Sequence, residues 1–280
     1  MHTCQSVAAY GADPDYKVGE QLAIQEKLGS EGIAKRFVAP MLRRQFSDRG
    51  PEAVRVLDVG CGLGHTINAL RELGYDAWGL EPGGRRHDAD SRAAGFILPY
   101  FSQDLLRNRP DLEKFDMVMS HAVIEHVGTT DGNGDLAPDY RDYRVLFVNS
   151  QLDLLRPGGL LLLCGPNRLF PLDFQHGDHT YGVLGPLKRA APMLRHVTIP
   201  WHKRNFLVSY GDMAAIARES GRRLTFLDEP QRGYSTMSQF RDRPRLQAAY
   251  RAYIASISLL PRAVRRPFET HTILVCRLDA

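Results

Sequence analysis

Nine residues, Val56-Leu57-Asp58-Val59-Gly60-Cys61-Gly62-Leu63-Gly64, constrain this chain more than any other stretch. The apolar run reads as a buried β-strand, and it ends in an acidic residue and three glycines at alternate positions. A strand that feeds such a loop opens the first ligand contact of a doubly wound α/β domain. Glycine lets the backbone turn sharply and lets a ligand lie against peptide groups with no Cβ in the way. The site is therefore expected on the main chain.

The spacing separates two readings of that loop. A dinucleotide fingerprint needs Gly-x-Gly-x-x-Gly. Here the third glycine comes one residue early, His65 follows it, and Asp58 stands two residues before the first glycine. Asp-x-Gly-x-Gly-x-Gly resembles motif I of the class I S-adenosylmethionine-dependent methyltransferases.

Later segments extend the resemblance over roughly residues 54 to 167. Tyr75 to Leu80 reads as a second strand ending at Glu81-Pro82, and Phe96-Ile97-Leu98 with Tyr100-Phe101 as a third, followed by Asp104-Leu105. Phe115 to Ser120 reads as a fourth strand running into His121-Ala122-Val123-Ile124-Glu125-His126-Val127. Leu155-Arg156-Pro157-Gly158-Gly159 announces a fifth, Leu160 to Leu163, before Cys164-Gly165-Pro166-Asn167. The resemblance implies a seven-stranded, mostly parallel Rossmann-like methyltransferase sheet with S-adenosylmethionine as cofactor. It also implies cofactor contacts at Asp58, Gly60, Cys61, Gly62, Gly64, Glu81, Pro82, Asp104, Leu105 and His121. In it Glu81 accepts hydrogen bonds from the ribose hydroxyls and Asp104 from the adenine amino group. Structural alternatives stand beside each: Asp58 and Asp104 as helix caps, Glu81 as a solvated carboxylate in a turn.

At 280 residues and 43% hydrophobic content the chain has enough apolar material for one large domain with elaborations. A helical lid segment is expected over residues 1–50, and the methyltransferase domain over 51–280. In the lid, Leu22, Ile24, Leu28, Ile33, Phe37, Val38, Met41 and Leu42 keep a loose helical period, broken near Gly29 and Gly32. For Leu28 to Leu42 packing on the sheet is the preferred reading. Cys4, Cys61, Cys164 and Cys276 lack paired metal spacing and read as buried free thiols. With no basic leader and no apolar run near ~20 residues, a cytoplasmic protein without a membrane partner is expected.

Cap insertions near 128–142, 166–208 and 230–268 are expected to hold specificity. The second mixes aromatic and titratable groups, among them Phe170, His176, Asp178, His179, Tyr181 and Trp201, before a helix capped at Ser209 and ended by Gly221. Strands are expected at Arg223 to Leu227 and Thr270 to Leu278, with an extra helix over Arg241 to Leu260. Charge is uneven. Residues 188–280 carry 17 Lys plus Arg against 7 Asp plus Glu, and the preceding residues 19 against 25. A basic C-terminal third attracts an anionic substrate or a nucleic acid, or is simply a solvated surface; no aromatic-basic platform for single strands is evident.

The cofactor implies an in-line methyl displacement in which the protein aligns the acceptor and excludes water. A hydroxyl acceptor also needs a base, and an imidazole is the natural one. His126, His176 and His179 are the catalytic candidates. Relatives that use a metal, including quinone-biosynthesis O-methyltransferases, carry Glu-x-x-Glu-His after strand four. Here Ala122 replaces the first glutamate, so no metal is assigned. The reading is an enzyme that methylates a small molecule at oxygen, acting as monomer or homodimer. A metal-assisted or RNA 2′-O-methyltransferase and a non-catalytic cofactor-binding partner protein are the alternatives, with nucleic acid unfavoured.

Overall fold

In the computed structural model, residues 20–83, 91–130, 136–170, 206–234 and 244–279 are described. Seven strands form one open sheet in the order β3-β2-β1-β4-β5-β7-β6. They are β1 Arg55–Val59, β2 Asp76–Leu80, β3 Ile97–Leu98, β4 Phe115–His121, β5 Leu155–Pro166, β6 Leu224–Leu227 and β7 His271–Leu278. All neighbours are parallel except β7, which runs antiparallel to both β5 and β6. The seven-stranded, mostly parallel sheet expected from the sequence is present. Its order reverses beside β1, so the loops after β1 and β4 leave the same carboxyl edge side by side.

Both faces are covered, which is why the central strands are mostly apolar, with Asp58 on β1 and Asp116 and Ser120 on β4 as buried polar exceptions. One face carries α1 (Glu20–Ile33), α2 (Ala39–Gln45) and α3 (His65–Glu72), with Ile33, Phe37, Met41, Ile67 and Leu70 packed on Met117, Met119 and Ile273. The other carries α5 (Ser102–Asn108), α6 (Tyr140–Asp153) and α7 (Tyr210–Arg218), with Leu105, Phe147, Leu152 and Met213 packed on Leu57, Val118 and Leu161. The short α4 (Ser91–Ala94), α8 (Pro244–Ile257) and α9 (Arg262–Arg265) complete the described helices.

Local structure departs from the sequence reading at three places. The N-terminal helix does not break at Gly29 or Gly32; it relaxes instead into a π segment at Ala34–Val38, where the Ala39 N–H reaches back to the Ala34 carbonyl. Pro40 explains the position: it has no N–H for the Arg36 carbonyl and its ring would crowd that oxygen. Gly233 fills the opening, close enough that a Cβ there would lie 2.3 Å from the Arg36 oxygen. Strand three stops at Leu98, because Pro99 cannot continue the ladder and Phe101 already precedes α5. Strand five begins earlier than Leu160. Leu155 pairs with Phe115 and Leu160 with Met117, so Arg156 to Gly159 bulge out of register with Gly158 at φ +79°.

The helix after the second insertion forms as its capping sequence predicts. Ser209 accepts from the Asp212 N–H, and the Asp212 carboxylate accepts from the Ser209 N–H. The extra helix, α8, runs over Pro244–Ile257, inside the Arg241 to Leu260 expected for it.

Candidate functional site

The loop after β1 takes its shape from three left-handed glycines, Gly60, Gly62 and Gly64 at φ +77°, +54° and +75°. Only glycine holds that geometry without strain. Space matters as well: a Cβ on Gly60 would lie 2.5 Å from Val123 Cγ2, and one on Gly64 would lie 2.6 Å from the Ala93 Cβ. Cys61 turns inward, where a Cβ on Gly79 would meet its Sγ at 2.5 Å, so this residue offers the site its backbone and not its thiol.

Glu81 binds that loop to the end of β2. It is buried, and its carboxylate accepts from the Gly62 N–H at 3.1 Å and from the Gly83 N–H at 3.0 Å. A carboxylate has about four lone-pair directions, so it can accept from more than these two backbone donors. Gly60 and Cys61 also donate to the Leu80 carbonyl. Gly60, Cys61, Gly62, Gly64, Glu81 and Pro82 therefore come together at one crevice. Asp58 lies just beneath, buried between Gly79 on β2 and Met119 on β4. Packing against Val123 and Ala93 admits only glycine at 60 and 64, and the Glu81 carboxylate beside them is of the acceptor chemistry that a ribose diol requires.

Asp104 lies in the first turn of α5 and pairs with Arg107, while the Leu105 side chain is fully buried in the core. His121 ends β4 on the opposite face. Its ring meets Tyr234 edge-on at 5.4 Å, and its Nε2 is buried without a hydrogen-bond partner. Burial pushes its pKa down to about 4, so it is neutral near pH 7. The unfolded chain binds this proton near the ordinary value of ~6.5. Stability from this group is thus complete above that pH and is lost as the pH falls toward 4. The expected loss is about 2 kcal/mol by pH 5, absent in His121→Phe. Urea melts of both proteins at pH 7.5 and pH 5 check it, and parallel losses would refute it.

The loop after β4 bends at Ala122, whose φ of +53° is the sole positive value for a non-glycine among the described residues. Its N–H donates to the Cys164 carbonyl at 2.9 Å, which holds the strained backbone in place. Relieving that strain with Ala122→Gly should stabilise the fold by about 1 kcal/mol, read as a higher urea midpoint. Beyond the bend Glu125 is completely buried; a Cβ on Gly165 would lie 3.1 Å from its Oε2. His126 is half-buried, and its ring meets Phe206 edge-on at 5.5 Å.

Arg144 organises this loop and was not among the residues singled out from the sequence. Its Nε donates to the Val127 carbonyl at 3.2 Å, and its Nη2 to the carbonyls of Glu125 at 3.0 Å and Phe206 at 2.9 Å. The helical period contained a signal: Arg144 shares a stripe with Phe147, Val148, Gln151 and Leu152, all buried. Asn167, directly after β5, is the matching clasp. Its Nδ2 donates to the carbonyls of Arg266 and Glu269, both at 2.7 Å, and its backbone bridges Val208. The second insertion thus departs and returns at the carboxyl edge, beside His126. His176, Asp178 and His179 lie outside the described residues, as do Tyr181 and Trp201. Among the described residues no three His, Cys, Asp or Glu converge as a metal site, and no helix is long and apolar enough to cross a membrane.

Comparison with known proteins agrees with this geometry. A ubiquinone biosynthesis O-methyltransferase of Agrobacterium fabrum is 27% identical over 141 residues, 49% of this chain and 51% of that protein. A tRNA U34 carboxymethyltransferase of Idiomarina loihiensis is 31% identical over 117 residues, 39% and 32% of the two chains. The chain spans about half the length, or less, of these curated relatives. The CcbJ methyltransferase of Streptomyces caelestis shares the fold at a TM-score of 0.51 and 13% identity, over 98% of this chain and 99% of that one. Residues 31–228 match the family model for a methyltransferase domain, so the chain belongs to that family, the class I enzymes that use S-adenosylmethionine.

Proposed function

We propose that this enzyme methylates an oxygen of a small-molecule acceptor seated at the carboxyl edge between the β4 loop and the insertion after β5. The observation that carries the reading is the clasp at Asn167 and Phe206, which brings both ends of an insertion rich in aromatic and titratable residues beside His126. A pocket needs such groups converging on a rigid edge. The name of the Agrobacterium fabrum relative, an O-methyltransferase, agrees with oxygen as the acceptor atom.

S-adenosylmethionine, when bound, supplies a methyl group activated by its sulfonium charge. The chain's own residues do the rest. Main-chain groups of Gly60, Cys61, Gly62 and Gly64 would hold the cofactor, with Asp58 beneath the loop. Glu81, next to Pro82, would accept from the ribose hydroxyls, and the Asp104 carboxylate and the Leu105 backbone would receive the adenine. His121, neutral, would add no charge to the site. A ring nitrogen of His126, or of His176 or His179, takes the acceptor hydroxyl proton, and alignment with exclusion of water supplies much of the acceleration.

Incubation of a cell extract with the protein and isotopically labelled S-adenosylmethionine, followed by mass spectrometry of small-molecule and RNA fractions, tests this reading. Label in a small molecule as an O-methyl group is expected. His126→Ala and His176→Ala, made separately, identify the base by a loss of turnover with cofactor binding intact. Label confined to RNA, or to nitrogen or carbon, would overturn the reading.

A further inference from the structure

The basic C-terminal third contains a cluster that the methyl-transfer site leaves unused. Arg266, just before β7, stacks its guanidinium over the Tyr210 ring with Cζ 3.2 Å from the centroid. Arg262 lies over the same ring at 4.7 Å and donates to the Tyr210 hydroxyl. The neighbouring carboxylates are engaged by other arginines. Asp228 and Glu269 both pair with the buried Arg265, and Asp212 with Arg168 at 3.0 Å. Arg262 reaches Asp228 only at 3.6 Å. Among the described residues Arg266 forms no salt bridge with a carboxylate, and its Nη2 is buried without a hydrogen-bond partner. Among the described residues four arginines thus face three acids, and Arg266 is the one that pairs with none of them.

The arrangement suits a ligand better than a structural role. Stacking occupies the face of a guanidinium and leaves its in-plane N–H edge for a planar or tetrahedral anion. Burial above all, and then the adjacent Arg262, work against the charge on Arg266 and outweigh Tyr210, Asp228 and Glu269, which favour it; an incoming anion would offset that cost. The location fits as well. Asn167 ties the Arg266 carbonyl to the end of β5, and Tyr210 opens α7, whose Met213 comes within 3.7 Å of a Cβ built on Gly165 beside Glu125. The cluster therefore borders the carboxyl edge on the Glu125 side.

We propose that Arg266, oriented by Tyr210 and seconded by Arg262, binds a carboxylate or phosphate group carried by the methyl acceptor. This rests on the small-molecule reading above and adds the acceptor's charge. Full-length protein saturated with S-adenosylhomocysteine is titrated by calorimetry with benzoate and, separately, with inorganic phosphate, at constant ionic strength in chloride. Saturable binding of one of them is expected, weaker by about tenfold or more in Arg266→Gln and by less in Arg266→Lys, which keeps charge but not the planar fork. The two titrations separate a carboxylate from a phosphate preference. Arg262→Gln provides a second variant, and an unchanged affinity for S-adenosylhomocysteine certifies that each variant is folded. Equal anion binding in parent and variants, or none in the cofactor-loaded parent, overturns the proposal. Failure of the oxygen-acceptor reading looks different: anion binding persists while labelled methyl appears on another atom.

Discussion

Replacing Arg144 by methionine is expected to cost about 3–5 kcal/mol of folding stability, more than any other single change at the site. The substitution keeps a long aliphatic stem in the core and removes the three donors that reach Glu125, Val127 and Phe206. Each abandoned carbonyl is buried, and an unsatisfied buried acceptor costs about 1–3 kcal/mol. Burial has already pushed the Arg144 pKa down to about 10, so the guanidinium remains charged at neutral pH, with the Glu125 carboxylate favouring that charge. Because Phe206 begins the return from the second insertion, the loss should also misplace His126 relative to the cap. Urea denaturation measures the first effect and turnover the second. A stability change under about 1 kcal/mol would mean that the three contacts form without holding the loop.

Glu81→Ala is the second large effect. Affinity for S-adenosylmethionine should fall by about 2–3 kcal/mol, on the order of a hundredfold, because two losses combine. The ribose hydroxyls lose an anionic acceptor, and the Gly62 and Gly83 N–H groups lose the oxygens that hold the glycine loop in its binding shape. Glu81→Gln keeps one acceptor oxygen and should fall between. Calorimetric titration of the three proteins decides it. An unchanged affinity in Glu81→Ala would assign the carboxylate to loop structure alone.

The parts legible in the chain were those encoded locally. Runs of five or six mostly apolar residues ending in Gly60, Glu81 and His121 announced β1, β2 and β4, because a parallel strand covered on both faces is apolar at most of its positions. Ser209 and Asp212 announced their helix because a capping box spans four residues. Glycines misled where their effect depends on neighbours. Gly29 and Gly32 did not break their helix, which instead relaxes at Pro40 into a π segment that Gly233, nearly two hundred residues later, packs against.

Asp-x-Gly-x-Gly-x-Gly and the order of strands determined the fold and the cofactor on their own, since left-handed turns and strand burial are properties of short segments. Tertiary structure alone decided what those segments meet. It tied Glu81 to Gly62, placed His121 against Tyr234, drew Arg144 under the His126 loop, and stacked Arg266 over Tyr210. The partners in these contacts stand between 19 and 113 residues apart in the chain. No local period records such distances, because burial, desolvation and charge balance arise only when the sheet and its two helical layers close.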